Sequence, residues 1–172
     1  MRKYIGAVLA AGLLVAGCGA SSSNTPVAVV PSGPTVGVVG QATTYSSGQG
    51  TAAITVHSFA WKKSSGDTSG VGSAAKNGSY LVADVTVEGL TGSVSVNPLY
   101  LSARDEEGRS AGDFGAELGS FRPSLDSGTV TPGRKMRGLV AWDVDPTLGW
   151  EVELLSVRDA VLVSWKAPNP PA

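Results

Sequence analysis

Few residues in this chain could do chemistry, and they fall in separate places. His57 is the single histidine, the side chain whose ordinary pKa lies nearest neutrality. A Ser-His-Asp hydrolase would therefore depend on it. It sits in "TVHSF", in the middle of an alternating stretch, with no nucleophile-elbow sequence elsewhere, so the expectation is a solvent-facing strand histidine. Asp105, Glu106 and Glu107 share the turn "RDEEGR", and Asp113 follows not far on. Oxygen-rich loops can hold calcium, but the ligand spacing of a calcium loop is missing, and a solvated acidic turn between Arg104 and Arg109 is expected. Asp143 and Asp145 stand two apart, on one face of a strand, and read as the wet face of a sheet and not as a glycosidase pair. Gly70-Val71-Gly72-Ser73-Ala74-Ala75 matches a degenerate dinucleotide pattern, yet it follows "KKSSGDTS" and precedes no helix, so it reads as a loop. Asp113-Phe114-Gly115 spells a kinase triplet without the rest of a kinase. With one histidine and one cysteine, a transition-metal site is not expected. These residues point to no catalytic group, no metal and no cofactor.

The one cysteine, Cys18, has a different chemistry. The chain opens Met1-Arg2-Lys3 and then runs from Ile5 to Ala16 without a charge, the n-region and h-region of a secretory signal. That run is too short to span a bilayer, which needs roughly 20 residues. Small residues, Val15-Ala16-Gly17, stand before Cys18, and a Ser-rich segment follows. The arrangement resembles a bacterial lipobox. The resemblance implies that Cys18 is diacylated on sulfur and becomes the new N-terminus, anchoring the protein to the outer face of the cell membrane. Each buried methylene is worth about 0.8 kcal/mol, so two or three acyl chains hold a protein on a membrane durably. A mature chain with no second thiol folds on its core alone, without a disulfide.

Loss of residues 1–17 removes Arg2 and Lys3 and leaves 11 basic residues (13 less 2) against 14 acidic ones. Nucleic acid, which calls for a basic patch, is excluded as a partner. Residues 18–35, the cysteine and "GASSSNTPVAVVPSGPT", are Ser, Pro, Gly and Ala with isolated valines, the composition of a flexible tether. Residues 36–166 have the length of one domain, and 167–172 form a short Pro-rich tail.

Within that domain the hydrophobic period is two. In "SYLVADVTVEGL" the residues Leu81, Ala83, Val85 and Val87 alternate with Tyr80, Val82, Asp84, Thr86 and Glu88. The second set carries the charges, so the first faces the core. Segments 51–61, 93–103, 135–145, 150–157 and 160–166 have comparable length and β-branched or aromatic content. With "GQATTY" (40–45) they make about seven strands, spaced as an antiparallel sandwich requires. Gly108 is placed to take a positive φ in the "RDEEGR" turn, and Pro132-Gly133 to form a tight turn before the strand at 135. On that strand Trp142 shares a face with Met136, Gly138, Val140 and Val144, which places it between the sheets.

The order of "AITVHSFAW", "YLVADVTVEGL", "LYLSARDEEGR" and "VTPGRKMRGLVAWDVD" resembles the uncharacterised immunoglobulin-like domain of secreted lipoproteins in Gram-positive bacteria and actinobacteria. That group is related in fold to a mycobacterial secreted immunogenic antigen. The resemblance implies an all-β, immunoglobulin-like antiparallel sandwich without the inter-sheet disulfide, and it carries over no catalytic residue.

Three functional classes stay open. One is a non-enzymatic, membrane-tethered module that contacts a protein, glycan or lipid through its loops, with the 105–107 turn and the segment from Lys63 to Asn77 best placed to do so. Another is a carrier of an apolar ligand, which an internal cavity lined by Val, Leu and Trp would distinguish. The last is a hydrolase or metal-dependent enzyme using His57 or the acidic loops. The absence of any convergent polar constellation favours the first.

Overall fold

The period-two pattern builds two four-stranded sheets facing each other. In the computed structural model, which describes residues 33–65, 73–111 and 121–171, one sheet has the order β2 (Ala42–Ser46), β3 (Gly50–Lys62), β4 (Ser79–Gly92) and β8 (Lys135–Val144), all antiparallel. The other has the order β1 (Thr35–Val36), β10 (Val161–Lys166), β9 (Trp150–Leu155) and β6 (Leu101–Asp105). Its pairs are antiparallel except that β1 adds to β10 in parallel. A short ribbon, β5 (Val94–Val96) with β7 (Gly128–Val130), lies outside both sheets. The chain is an all-β, immunoglobulin-like sandwich, and it holds together without a disulfide.

The core is the set of inward residues that alternation selects. Ala52, Ile54 and Val56 of β3, Leu81, Ala83, Val85 and Val87 of β4, and Val140, Trp142 and Val144 of β8 meet Leu101, Ala103, Trp150, Val152, Leu154, Val163 and Trp165 of the facing sheet in one cluster. Trp142 and Trp165 are both fully buried, each contributing the large apolar area that a sandwich of this size depends on.

Several expectations need correction. Segment 93–103 is not one strand: β5 pairs with β7, Asn97 caps a single 3₁₀ turn at Pro98–Tyr100 through Leu99 N–H (3.0 Å), and β6 joins the other sheet. Pro98 has no N–H to give a ladder, which breaks the strand there. Tyr80 and Val82 are not on a wet face. Phe121 and Ala141 bury them in a second, smaller cluster, with the Tyr80 and Phe121 rings edge to face at 5.4 Å. Leu125 N–H donates to Leu139 O (3.0 Å) and Leu139 N–H to Pro123 O (2.8 Å), so residues 123–125 cover the outer edge of β8. Gly138 permits this approach, because a Cβ there would collide with the Leu125 backbone.

The ends of the domain are also more ordered than composition suggests. Thr35, placed in the tether, is the first residue of β1. Ala167, placed in the tail, is buried and donates its N–H to Trp150 O, while Pro168 O accepts from Trp61 Nε1 (3.0 Å). Cys18, the glycine-rich 70–72 segment and Asp113-Phe114-Gly115 lie outside the described residues.

Candidate functional site

The sequence-selected polar residues do not converge. His57 is the extra residue of a β-bulge, since Val56 pairs with Val85 and Ser58 with Asp84. The imidazole faces outward on the side that alternation already gives it, with Ala53 and Thr55, and the bulge shifts the strand's phase after it, so that Phe59 and Trp61 pack on the core. His57 Nε2 lies 2.8 Å from Thr86 Oγ1, the one hydrogen bond the ring makes among the described residues. Nearby, Arg137 grips Asp84 with two bonds (3.0 and 2.7 Å), and the Arg137 hydrogen bond holds the Asp84 carboxyl below its ordinary range. This is a bidentate surface pair, with no serine on the histidine.

The acidic residues are occupied. Asp105, expected in a solvated turn, is only 8% exposed. Its carboxylate accepts the main-chain N–H groups of Glu107 (3.0 Å) and Arg109 (2.8 Å) and the Arg109 Nε–H (2.6 Å). These bonds tie the turn whose left-handed residue is Gly108, as expected, at φ 80°. Asp143, expected on a wet face, is 7% exposed. The segment 73–78 folds over it, and its two oxygens accept the N–H groups of Lys76 (2.7 Å) and Asn77 (2.9 Å). Asp145 alone of that pair is exposed, and it accepts from the Thr147 N–H and hydroxyl. Part of the segment from Lys63 to Asn77 is an extension of the β3–β4 hairpin, with Ser64 bridging Ala74. Among the described residues no three carboxylate, histidine or cysteine side chains cluster as a metal site.

An enclosed, mainly apolar hollow among the described residues lies elsewhere, at one end of the sandwich. It is a pocket of about 360 Å³, near the small end of the range of ligand sites. Its depth is apolar: Ile54 and Val87 on one sheet, Leu101 and Leu154 on the other, with Leu125 and Val96 between. One wall is the β9–β10 hairpin. There the ladder slips between Val161 and Val163, so Leu162 is the bulged residue and stands half-buried beside Leu155 over the cavity. The hairpin tip is fixed by Ser156, whose hydroxyl accepts the N–H groups of Arg158 and Ala160, and it presents Val157 at 74% exposure.

The opposite wall is polar and uncharged. Tyr45 and Ser46 come from the end of β2, Ser47 and Gln49 from the β2–β3 turn, and Ser95 and Asn97 from β5 and the residue after it. Ser93 N–H donates to Gln49 O (3.2 Å), which joins these two segments. Burial pushes the Tyr45 phenol up to about 12, so it is a neutral donor at any physiological pH. Its hydroxyl has no hydrogen-bond partner among the described residues, and Asn97, whose oxygen is used in the cap, has its NH₂ free of protein partners there too. Among the described residues no charged side chain lines the pocket. The anticipated tryptophans are absent from it because Trp142 and Trp165 fill the packed middle of the sandwich. The sequence signal for the site was weak: an uncharged "TTYSSGQG" between two strands, and a leucine pair in the last hairpin.

The family profile described as a domain of unknown function (DUF4352) matches residues 44–154, from the pocket's polar wall to the end of β9. The chain belongs to the DUF4352 family. No curated protein sequence matches it. Among solved structures, this DUF4352 domain is similar in fold to MPT63, a secreted protein of Mycobacterium tuberculosis (TM-score 0.58, 20% identity, 78% of this chain and 98% of that one). It is similar also to the yjhA protein of Bacillus subtilis (TM-score 0.52, 18% identity, 78% and 99%). A candidate lipoprotein of Bacillus subtilis, ycdA, aligns over 75% of this chain and 39% of its own length (TM-score 0.51, 13% identity). At these identities the likeness is one of fold.

Proposed function

We propose that this protein is an extracytoplasmic lipoprotein, held on the membrane by lipid at Cys18, whose DUF4352 domain is a non-catalytic binding module that receives an apolar ligand in the pocket between its sheets. The observation that carries this reading is the pocket itself: about 360 Å³, aliphatic in its depth, with unpartnered neutral donors on one wall. Such a site binds by burial and orients by a few hydrogen bonds. The non-catalytic part is supported by His57, which sits on the outside of a bulge with a threonine as partner, and by Asp105 and Asp143, whose oxygens are occupied by main-chain N–H groups. The membrane and its extracytoplasmic face are supported by the signal and cysteine of residues 1–18, and by the secreted and lipoprotein descriptions of proteins sharing the fold.

The test uses the mature chain from residue 18 onward with Cys18→Ala, so that neither lipid nor detergent is present. The neutral dye 1-aminoanthracene should brighten on titration and saturate at one site, and Leu162→Trp, which fills the pocket, should abolish the signal. His57→Gln should leave it unchanged. A dye response that does not saturate, or that persists in a folded Leu162→Trp variant, counts against the pocket as the binding site.

A further inference from the structure

We infer that the occupant of the pocket is an uncharged single-chain amphiphile, its hydrocarbon tail between the leucines and its hydroxyl or carbonyl head on the Tyr45 side. This deepens the binding reading above and rests on it. The two walls differ in kind. On one, Leu154, Leu155 and Leu162 offer only carbon; on the other, Tyr45, Gln49, Ser95 and Asn97 offer hydroxyl and amide groups. Gln49 and Ser95 stand exposed at the rim, whereas Tyr45 and Asn97 are half-buried, and a purely apolar ligand seated against them would strip water from the Tyr45 hydroxyl and the Asn97 amide with nothing in its place. A ligand with a neutral polar end and a hydrocarbon end satisfies both walls.

Charge decides between kinds of amphiphile. A carboxylate or ammonium drawn into this pocket would be desolvated with no counter-ion, because among the described residues no Lys, Arg, Asp, Glu or His lines it. Neutral heads such as an alcohol or a glycerol monoester carry no such penalty. The volume suits one chain and not two. Val157, a lining residue at the tip of the β9–β10 hairpin, is 74% exposed and carries the apolar lining of the leucine wall out to the surface.

The test is calorimetry on the mature chain carrying Cys18→Ala, with chain-matched probes: dodecan-1-ol, dodecanoate and dodecyltrimethylammonium. Dodecan-1-ol should bind one to one, and both ions at least about tenfold more weakly. Decan-1-ol, shorter by two methylenes, should bind about tenfold more weakly than dodecan-1-ol. Tyr45→Phe should weaken the alcohol about fivefold, one neutral hydrogen bond's worth, while leaving the chain-length dependence intact. Leu162→Trp should abolish binding. Equal or tighter binding of either ion, or no dependence on chain length, overturns the inference even if the dye still binds. Saturable dye binding that dodecan-1-ol cannot displace also overturns it and leaves the pocket reading standing, whereas failure of dye and alcohol together sinks both.

Two sources can supply such a molecule, and monododecanoylglycerol separates them. Recovery of the monoester with the protein after incubation with phosphatidylcholine vesicles containing it supports a membrane source. Binding only from free solution supports a diffusible one. No binding from either overturns the inference.

Discussion

Gly37 packs against the pyrrole edge of the Trp165 indole, so close that a Cβ on Gly37 would collide with Nε1 and its two ring neighbours. Trp165 is fully buried, and its Nε1 has no hydrogen-bond partner among the described residues, so the glycine backbone covers that edge of the ring. Gly37 N–H also donates to Ser164 O (2.8 Å), continuing the parallel pairing of Thr35–Val36 with β10. Gly37→Ala should therefore expel β1 from the sheet edge and admit water to Trp165. The expected outcome is a loss of about 1–3 kcal/mol, the usual cost of overpacking, read as a lower urea midpoint. A red shift of tryptophan emission should accompany it. An unchanged midpoint and spectrum would mean that β1 contributes nothing to the domain.

Asp143 holds residues 76–77 over the sheet through two main-chain N–H groups. Asparagine offers one carbonyl oxygen in place of two acceptors, and its NH₂ would face a donor. Asp143→Asn should cost about 1–3 kcal/mol, the penalty of a buried unsatisfied donor. Asp145→Asn, exposed and two residues on, is the control and should change the urea midpoint much less.

The contrast between these two aspartates shows what was legible in the sequence. Alternation read Leu81, Ala83, Val85 and Val87 inward correctly, because β4 is central in its sheet and one face is fixed by the core. The same alternation put Asp143 in water, because it cannot see a segment far away in sequence folding over the strand. Bulges were equally invisible. His57, Leu90 and Leu162 are each the unpaired residue of a register slip, and a period-two reading has no term for one extra residue. Two of these slips re-aim side chains: one brings Phe59 and Trp61 onto the core, and the other puts Leu162 over the pocket. The pocket also draws its lining from both sheets and from the β5 ribbon, so no single segment announces it.

Trp142 is fully buried in the cluster that joins the sheets, and its Nε1 has no hydrogen-bond partner among the described residues. Trp142→Ala should cost about 3–5 kcal/mol, the range for truncating a buried aromatic ring. Trp142→Phe removes volume but breaks no hydrogen bond, so it should cost clearly less. Urea unfolding of the two variants beside the parent checks the order, and equal losses would mean that the indole nitrogen carries the effect.

Acid should weaken the fold through three carboxylates. The Arg137 hydrogen bond lowers Asp84, and the Thr147 hydroxyl and N–H lower Asp145. Burial works to raise Asp105, but the Arg109 guanidinium and the N–H groups of Arg109 and Glu107 outweigh it, and its net direction is also down. A carboxyl lowered in the folded state stabilises that state fully above its unfolded value, about 4. The contribution is lost as pH falls through the folded value. The urea midpoint should therefore lose nothing through these groups between pH 8 and pH 5 and drop progressively below about pH 4. Arg137→Gln should make the drop shallower by removing the cause of one shift. An acid limb identical in the variant would assign the loss to other groups.

Cys18 lies outside the described residues, so its role is tested chemically. The run Ile5–Ala16 with Val15-Ala16-Gly17 before the cysteine presents small residues to a processing peptidase, and a thioether-linked diacylglycerol on the sulfur would add two hydrocarbon chains. One chain alone gives marginal, reversible membrane binding, whereas two give a stable anchor. The parent protein should partition into the detergent phase in Triton X-114 separation, and its N-terminal fragment should carry the mass of the attached acyl groups. Cys18→Ala removes the only sulfur on which that lipid can form. The variant should therefore lack the added mass, and it should leave the membrane or stay as an unprocessed precursor of higher mass. A parent N-terminal fragment with no added mass, together with equal partitioning of parent and variant into detergent, would show that the anchor is not at this residue. The pocket would then have to meet its ligand without being held at the bilayer.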